Sequence, residues 1–223
     1  MTLTASQQQI LKEYLNKELT YRETFEELYD HISSGLENSP ESSSFDETLR
    51  NYVTSEFGGI NGLNKIEKQY RATVLSGMKK QYLTKIYQQL RFPQLIIWVM
   101  ITAVIYSTFS SEWFNMHWYF PLLLTMSLMV STINTIRYIR TGYVWKSTKR
   151  SVKDEGFRLI KHAPAAILSV ITIACYFFFK KLPFDWINNL NPLLPSFFFV
   201  AYALHVMSFY KMYAAEFKVD LAK

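Results

Sequence analysis

The chain is poor in the residues from which chemical sites are built. Its 223 residues include a single cysteine, Cys175, so no intramolecular disulfide can form and no thiolate metal cluster can be assembled within one chain. The four histidines, His31, His117, His162 and His205, stand far apart. None has the H-x-x-H or H-E-x-x-H spacing that would put two metal ligands on one helical face. Glycine is equally scarce, with seven residues, and Gly58, Gly59 and Gly62 follow a helical pattern where a phosphate-binding loop would follow a strand. There is no G-x-S-x-G nucleophile elbow. No catalytic residue, cofactor site or metal site is therefore assigned, and the chain reads as non-enzymatic. A secretory signal peptide needs a basic start followed at once by an apolar stretch, whereas residues 2–16 read TLTASQQQILKEYLN.

What is present is a change of solvent near Phe92. From Pro93 to Ser111 no residue carries a charge, and Leu95, Ile96, Ile97, Val99, Ile101 and Val104 crowd the run. About 20 apolar residues are needed to cross a hydrocarbon core of roughly 30 Å. Four candidate spans follow, at 93–111, 118–136, 163–180 and 192–212. Prolines interrupt them only near their starts, where proline is tolerated. None contains Asp or Glu, and glycine is too rare in them for a close-packed G-x-x-x-G dimer.

The formal charge of +6 is unevenly distributed. Residues 1–60 hold four basic side chains against eleven acidic ones, a net of −7. Residues 61–91 hold seven basic side chains against Glu67 alone, and the connection 137–161 holds eight basic against two acidic, a net of +6. The positive charge belongs to the membrane-facing parts, so anionic lipid headgroups explain it better than direct contact with nucleic acid. Basic loops resist translocation, so 137–161 is expected in the cytoplasm. Glu112–Met116, which has no basic residue, and Lys180 and Lys181, which can snorkel, belong outside. The expected topology has both termini inside the inner membrane, with a cytoplasmic tail at 213–223.

The head, residues 1–60, lacks any useful alternating strand pattern and reads as helices. Ile10, Leu11, Tyr14 and Leu15 form one stripe, and Phe25, Leu28, Tyr29, Ile32 and Leu36 form a second. Thr20 with Glu23 predicts a capping box for the second helix, and Ser44 with Glu47 predicts one for a third that ends at Gly58 and Gly59. From about Asn61 a basic amphipathic helix runs to residue 91. It either lies on the membrane surface or packs on the head as a stalk.

The stretch ELYDHISSGLE (Glu27–Glu37), a third helix, and then FGGINGLNKIEK (Phe57–Lys68) leading into apolar spans resemble the helical heads of bacterial HAAS-type membrane proteins. The resemblance covers about the first 90 residues. It implies a signalling or regulatory membrane protein, with a PadR-type regulator or a transporter component as the kind of cytoplasmic partner.

Three groups of side chains stand out. On the second head helix, Glu27, Asp30, His31 and Glu37 offer a polar face for a partner, and Glu27 lies at i−4 from His31, where an ion pair would raise the affinity of His31 for a proton. Inside the fourth span, His205 is an ionisable group in hydrocarbon, with Asn134, Thr132, Tyr106 or Ser107 as partners. Interhelical hydrogen bonding by a neutral His205 and lining of a transport path are the two readings of that group. On the basic loop, Arg137, Arg140, Lys149 and Arg150 either meet anionic lipid or dock the acidic head. The expectation is thus an all-α protein with a three-to-four-helix cytoplasmic head, a connector helix at 61–91 and a four-span domain at 92–212. It acts as a regulatory or scaffolding module, or alternatively as a small transporter or channel subunit. A homo-oligomer is compatible with this layout.

Overall fold

The computed structural model describes residues 3–38, 44–111, 119–140, 149–164 and 191–220. Every regular element among them is helical. The chain divides into two compact units, residues 1–78 with 147–156, and residues 79–146 with 157–223.

The first unit begins with α1 (Ala5–Glu18), opened by a capping box in which Thr4 accepts from the Gln7 amide and the Gln7 side chain accepts from the Thr4 amide. It continues with α2 (Arg22–Glu37), α3 (Phe45–Phe57) and the first half of α4 (Gly59–Gln89). Leu11, Leu15, Ile32, Leu49, Val53 and Leu63 meet in one core, each 2 % exposed or less. Burial of such side chains stabilises by about 1.5–3 kcal/mol apiece before conformational entropy is set against it. Because Leu63 belongs to this core, the start of the connector helix packs on the head.

The capping of α2 differs from the sequence expectation. Tyr21, not Thr20, stands at the N-cap and makes no side-chain cap bond. The amides of Thr20 and Tyr21 instead donate to Glu67 Oε1 at 2.7 and 2.9 Å. A carboxylate far along the chain, on a packed helix, thus does the work that a local Thr–Glu pair was expected to do, leaving Glu23 for another contact. Ser44 likewise makes no side-chain cap bond at the start of α3. The end of α3 agrees with expectation. Gly58 (φ 74°) and Gly59 (φ 75°) take left-handed backbone, and the Gly58 amide donates to Thr54 at 3.1 Å.

The second unit contains the end of α4, α5 (Gln94–Phe109), α6 (Tyr119–Arg140), the end of a helix α7 at 152–164, and α8 (Leu193–Asp220). Both α5 and α6 pack on α8. α6 and α8 run parallel: the Tyr119 hydroxyl donates to the Pro195 carbonyl at 3.1 Å near their beginnings, and Arg137 pairs with Glu216 near their ends. Edge-to-face rings of Phe109, Tyr119 and Phe199 join α5 to this pair.

Pro121–Arg140 and Leu193–Glu216 are each long and apolar enough to cross a membrane. The expected first span is shorter than its apolar run. α5 has 16 residues, about 24 Å at 1.5 Å per residue, and qualifies only together with α4 across a bend of 75°. The helix α8 continues to Asp220, so the expected tail from 213 is largely helical. The expected third span, beyond Pro164, lies outside the described residues, as do the loop 112–116, His117, Cys175, Lys180 and Lys181.

Candidate functional site

Residues 149–155, which follow α6 in sequence, are built into the head. The ammonium of Lys149 donates to the carbonyls of Asn16 at 2.9 Å, Leu15 at 3.3 Å and Leu19. These belong to the last turn of α1 and its C-cap, where the helix dipole favours a cation, and the Leu15 carbonyl also accepts the Leu19 amide at 3.0 Å. The same ammonium lies 5.2 Å from the centre of the Phe25 ring. Burial pushes the pKa of Lys149 below its ordinary value, while Glu67 works in the opposite direction. Beside it, the Arg150 carbonyl accepts the Arg22 amide at 3.0 Å in an isolated parallel bridge, and the Arg150 side chain is exposed.

The next residues start α7. Ser151 Oγ accepts the Lys153 amide at 3.1 Å, an N-cap bond, and donates its own proton to Glu23 Oε1. Glu23 Oε2 accepts the Val152 amide at 3.2 Å, so one carboxylate serves the start of α7 from outside. One turn on, Glu155 receives the Tyr21 hydroxyl and the Arg71 guanidinium, the latter through Nε at 3.0 Å and through Nη2. Burial, followed by the bond to Glu155, raises the pKa of Tyr21. The Arg71 pKa is also raised, chiefly by its hydrogen bonds to Glu155. Three chain segments distant in sequence are thereby tied by Glu23, Glu67, Arg71, Lys149 and Glu155.

The polar face of α2 is available in part. Glu27, Asp30 and His31 are exposed, while Glu37 is half-buried and accepts the Leu3 amide at 3.4 Å. The Glu27–His31 ion pair that the i, i+4 spacing allows does not form among the described residues. His31 instead packs edge-on against Phe57, with centroids 5.5 Å apart. An exposed pair is worth at most about 1 kcal/mol, and the aromatic contact competes with it directly.

His205, 5 % exposed, meets none of its expected partners. Its Nδ1 lies 2.6 Å from the Tyr82 hydroxyl of α4, and its ring contacts Tyr202 and Phe209. Thr132 is exposed and donates back to the Leu128 carbonyl at 2.9 Å, and Tyr106 and Ser107 are exposed. Asn134 is buried, and among the described residues its Oδ1 and His205 Nε2 have no hydrogen-bond partner. A second bond of the same kind joins Gln89 Nε2 to Ser208 Oγ at 2.6 Å, both residues buried.

Arg137 departs from its expected role toward lipid or head. It is 2 % exposed, lies 4.2 Å from the Phe157 ring centre, and forms a two-bond pair with Glu216. The extension of α8 supplies the carboxylate that turns this arginine inward. Arg140 is exposed at the end of α6. Sequence reasoning missed Tyr82, Gln89, Glu155 and Glu216 as partners. Glu67 and Glu216 had a usable signal, since each is a lone acid in basic or apolar surroundings. No group of three or more His, Cys, Asp and Glu residues capable of holding a metal ion occurs among the described residues. No family model, no curated protein and no solved structure matches the chain.

Proposed function

We propose that the chain is a non-enzymatic, multi-pass protein of a bacterial inner membrane whose cytoplasmic helical head is a regulatory or scaffolding module. The observation that carries this reading is the incorporation of residues 149–155 into the head through Lys149, Glu23 and Glu155. A head completed by chain that follows an apolar helix is built to be held at the membrane. Four spans with both termini inside are supported by the parallel course of α6 and α8. Between their ends the chain must recross, and the uncharged apolar run after residue 163 is long enough to do so. The basic residues of 137–161 support a cytoplasmic location for that side.

The partner surface is the exposed face of α2 around Glu27, Asp30 and His31, bordered by Glu37. Its acidic character suits a basic patch on a cytoplasmic protein, and the HAAS-type resemblance suggests a PadR-type regulator or a transporter component. Arg140 and Arg150, both exposed, suit anionic lipid. The test is a mild-detergent pull-down of the full chain beside a Glu27→Lys/Asp30→Lys variant. A cytoplasmic protein recovered with the first and lost with the second supports the module. Identical recoveries, or none, would end that reading.

A second reading, a small transporter or channel subunit, is favoured by the buried polar groups His205 and Asn134 on α8 and α6. Flux into proteoliposomes that is lost on His205→Phe supports it; absence of flux from the unaltered protein rejects it.

A further inference from the structure

Within the second unit, the last turns of α4 carry an apolar face that the described residues leave uncovered. Leu83, Tyr87 and Leu90, at i, i+4 and i+7, are 51, 59 and 41 % exposed, and Phe92 beyond them is 78 % exposed. That spacing places the first three on one line along the helix. The opposite requirement, packing on α8, is met by Tyr82 and Gln89, which reach His205 and Ser208. The outward apolar line is therefore not a remnant of the helix–helix contact.

Three observations identify what covers this face. The first is charge: Lys79, Lys80, Lys85 and Arg91 occur within 79–92 and no acid does, and Lys80 and Arg91 flank the apolar line at i−3 from Leu83 and i+1 from Leu90. The second is continuity. Phe92 leads directly into α5, whose Ile97, Val99, Met100 and Val104 are 57 to 64 % exposed and suit lipid chains. The third is direction: α4 and α5 meet at 75°, so when α5 crosses the bilayer the adjoining turns of α4 run close to its plane. The Arg91 guanidinium stacks 4.9 Å from the Tyr87 ring centre, a cation held beside an aromatic of the kind that settles among headgroups.

We propose that residues 79–92 form an in-plane ledge bound to anionic phospholipid, with Leu83, Tyr87, Leu90 and Phe92 among the upper acyl carbons and Lys79, Lys80 and Arg91 on the phosphates. An amphipathic helix with this distribution sinks its apolar face by about 5–10 Å into the headgroup boundary. The ledge is a separate lipid contact from the basic loop, and it holds whatever partner the head recruits.

The test uses the full chain in bilayers of phosphatidylcholine with and without phosphatidylglycerol. Spin labels are placed singly at Leu83, Leu90, Gln81 and Gln88 on a Cys175→Ser background. Labels at Leu83 and Leu90 should relax with oxygen in preference to a water-soluble nickel chelate, and labels at Gln81 and Gln88 should show the reverse. Equal access of the chelate to all four overturns the ledge. Protection of Leu83 and Leu90 from both reagents also overturns it, because protein would then cover the face. In a second measurement, spin-labelled phosphatidylglycerol should associate in preference to phosphatidylcholine. The Lys80→Gln/Arg91→Gln variant should lose about fivefold of that preference per charge at low salt. An unchanged preference counts against headgroup binding even if the labels are immersed.

Discussion

Arg137 holds Glu216 through two parallel hydrogen bonds, Nε to Oε2 at 2.7 Å and Nη2 to Oε1 at 2.9 Å, with the arginine 2 % exposed. The pair joins α6 to α8 at the end of two helices that both pass the length and hydropathy test for a span. Breaking a buried pair strands a charge and costs about 3–5 kcal/mol, whereas replacing both partners by apolar groups is often neutral. Arg137→Ala should lower the thermal midpoint of the detergent-solubilised chain strongly, and Arg137→Met/Glu216→Met should recover most of the loss. Equal destabilisation by the single and double changes would contradict this account.

The strap at 149–155 makes a sharper distinction between neighbours. Lys149 donates to three carbonyls of α1 and its cap, while the Arg150 side chain is exposed. Lys149→Met should weaken the head by about 1 kcal/mol, allowing for its partial solvation, and accelerate proteolysis between α1 and α2. Arg150→Gln should stay within about 0.5 kcal/mol of the parent. Limited proteolysis of the full chain with both variants side by side reads the difference.

Alkaline pH should weaken the head. The pKa values of Tyr14, Tyr21 and Tyr70 are raised above the ordinary 10.0, burial being the first cause in each. Their folded-state preference for the proton contributes fully below pH 10 and is lost as pH rises through their folded values. Lys149 acts the other way, because its depressed value makes the unfolded chain bind more protons up to the ordinary 10.5. With three groups against one, denaturant unfolding should show a net fall in stability above about pH 10. Tyr21→Phe should flatten that slope, and an unchanged slope would remove Tyr21 from the account.

Gly62 is where a methyl group cannot be accommodated. A Cβ there would stand 1.5 Å from the Phe57 carbonyl oxygen, a backbone atom that no rotamer change moves aside. Gly62→Ala should destabilise the head by about 1–3 kcal/mol, measured by thermal melting of the full chain. Gly77→Ala, with nothing within 4 Å of the added carbon, should be neutral or slightly stabilising.

The Tyr82–His205 bond predicts a coupling between α4 and α8. Tyr82→Phe leaves His205 Nδ1 without the hydroxyl 2.6 Å away and should cost about 0.5–1.5 kcal/mol, the net worth of an intramolecular hydrogen bond. The same change on a His205→Phe background should cost less. A double-mutant cycle by unfolding in detergent measures the coupling, and strict additivity would show the contact to be energetically silent.

The helical stripes were legible because they depend only on periodicity. Leu11 and Leu15, or Leu28, Ile32 and Leu36, share a face whatever they pack against, and the structure buries all five. Left-handed backbone at Gly58 and Gly59 was legible for a similarly local reason. The N-cap of α2 was not legible, because Thr20 and Glu23 are equally able to cap locally or to be outcompeted. Glu67 took the Thr20 and Tyr21 amides, and Glu23 took Ser151 and Val152. The partners of His205 were not legible, because depth in a span says nothing of azimuth. Thr132 lies at a plausible depth, on the wrong face of α6.

The sequence by itself determined the all-helical character, the apolar helices and the division of charge, since these follow from short-range pattern and from the free energy of moving side chains between water and hydrocarbon. It also determined that the basic residues cluster around 137–161. Only the tertiary structure decided which of those bases face inward. Arg137 and Lys149 were drawn to Glu216 and to the carbonyls of α1, while Arg140 and Arg150 stayed exposed. That choice depends on which acceptors other elements bring within about 3 Å, and no pattern local to the loop encodes it.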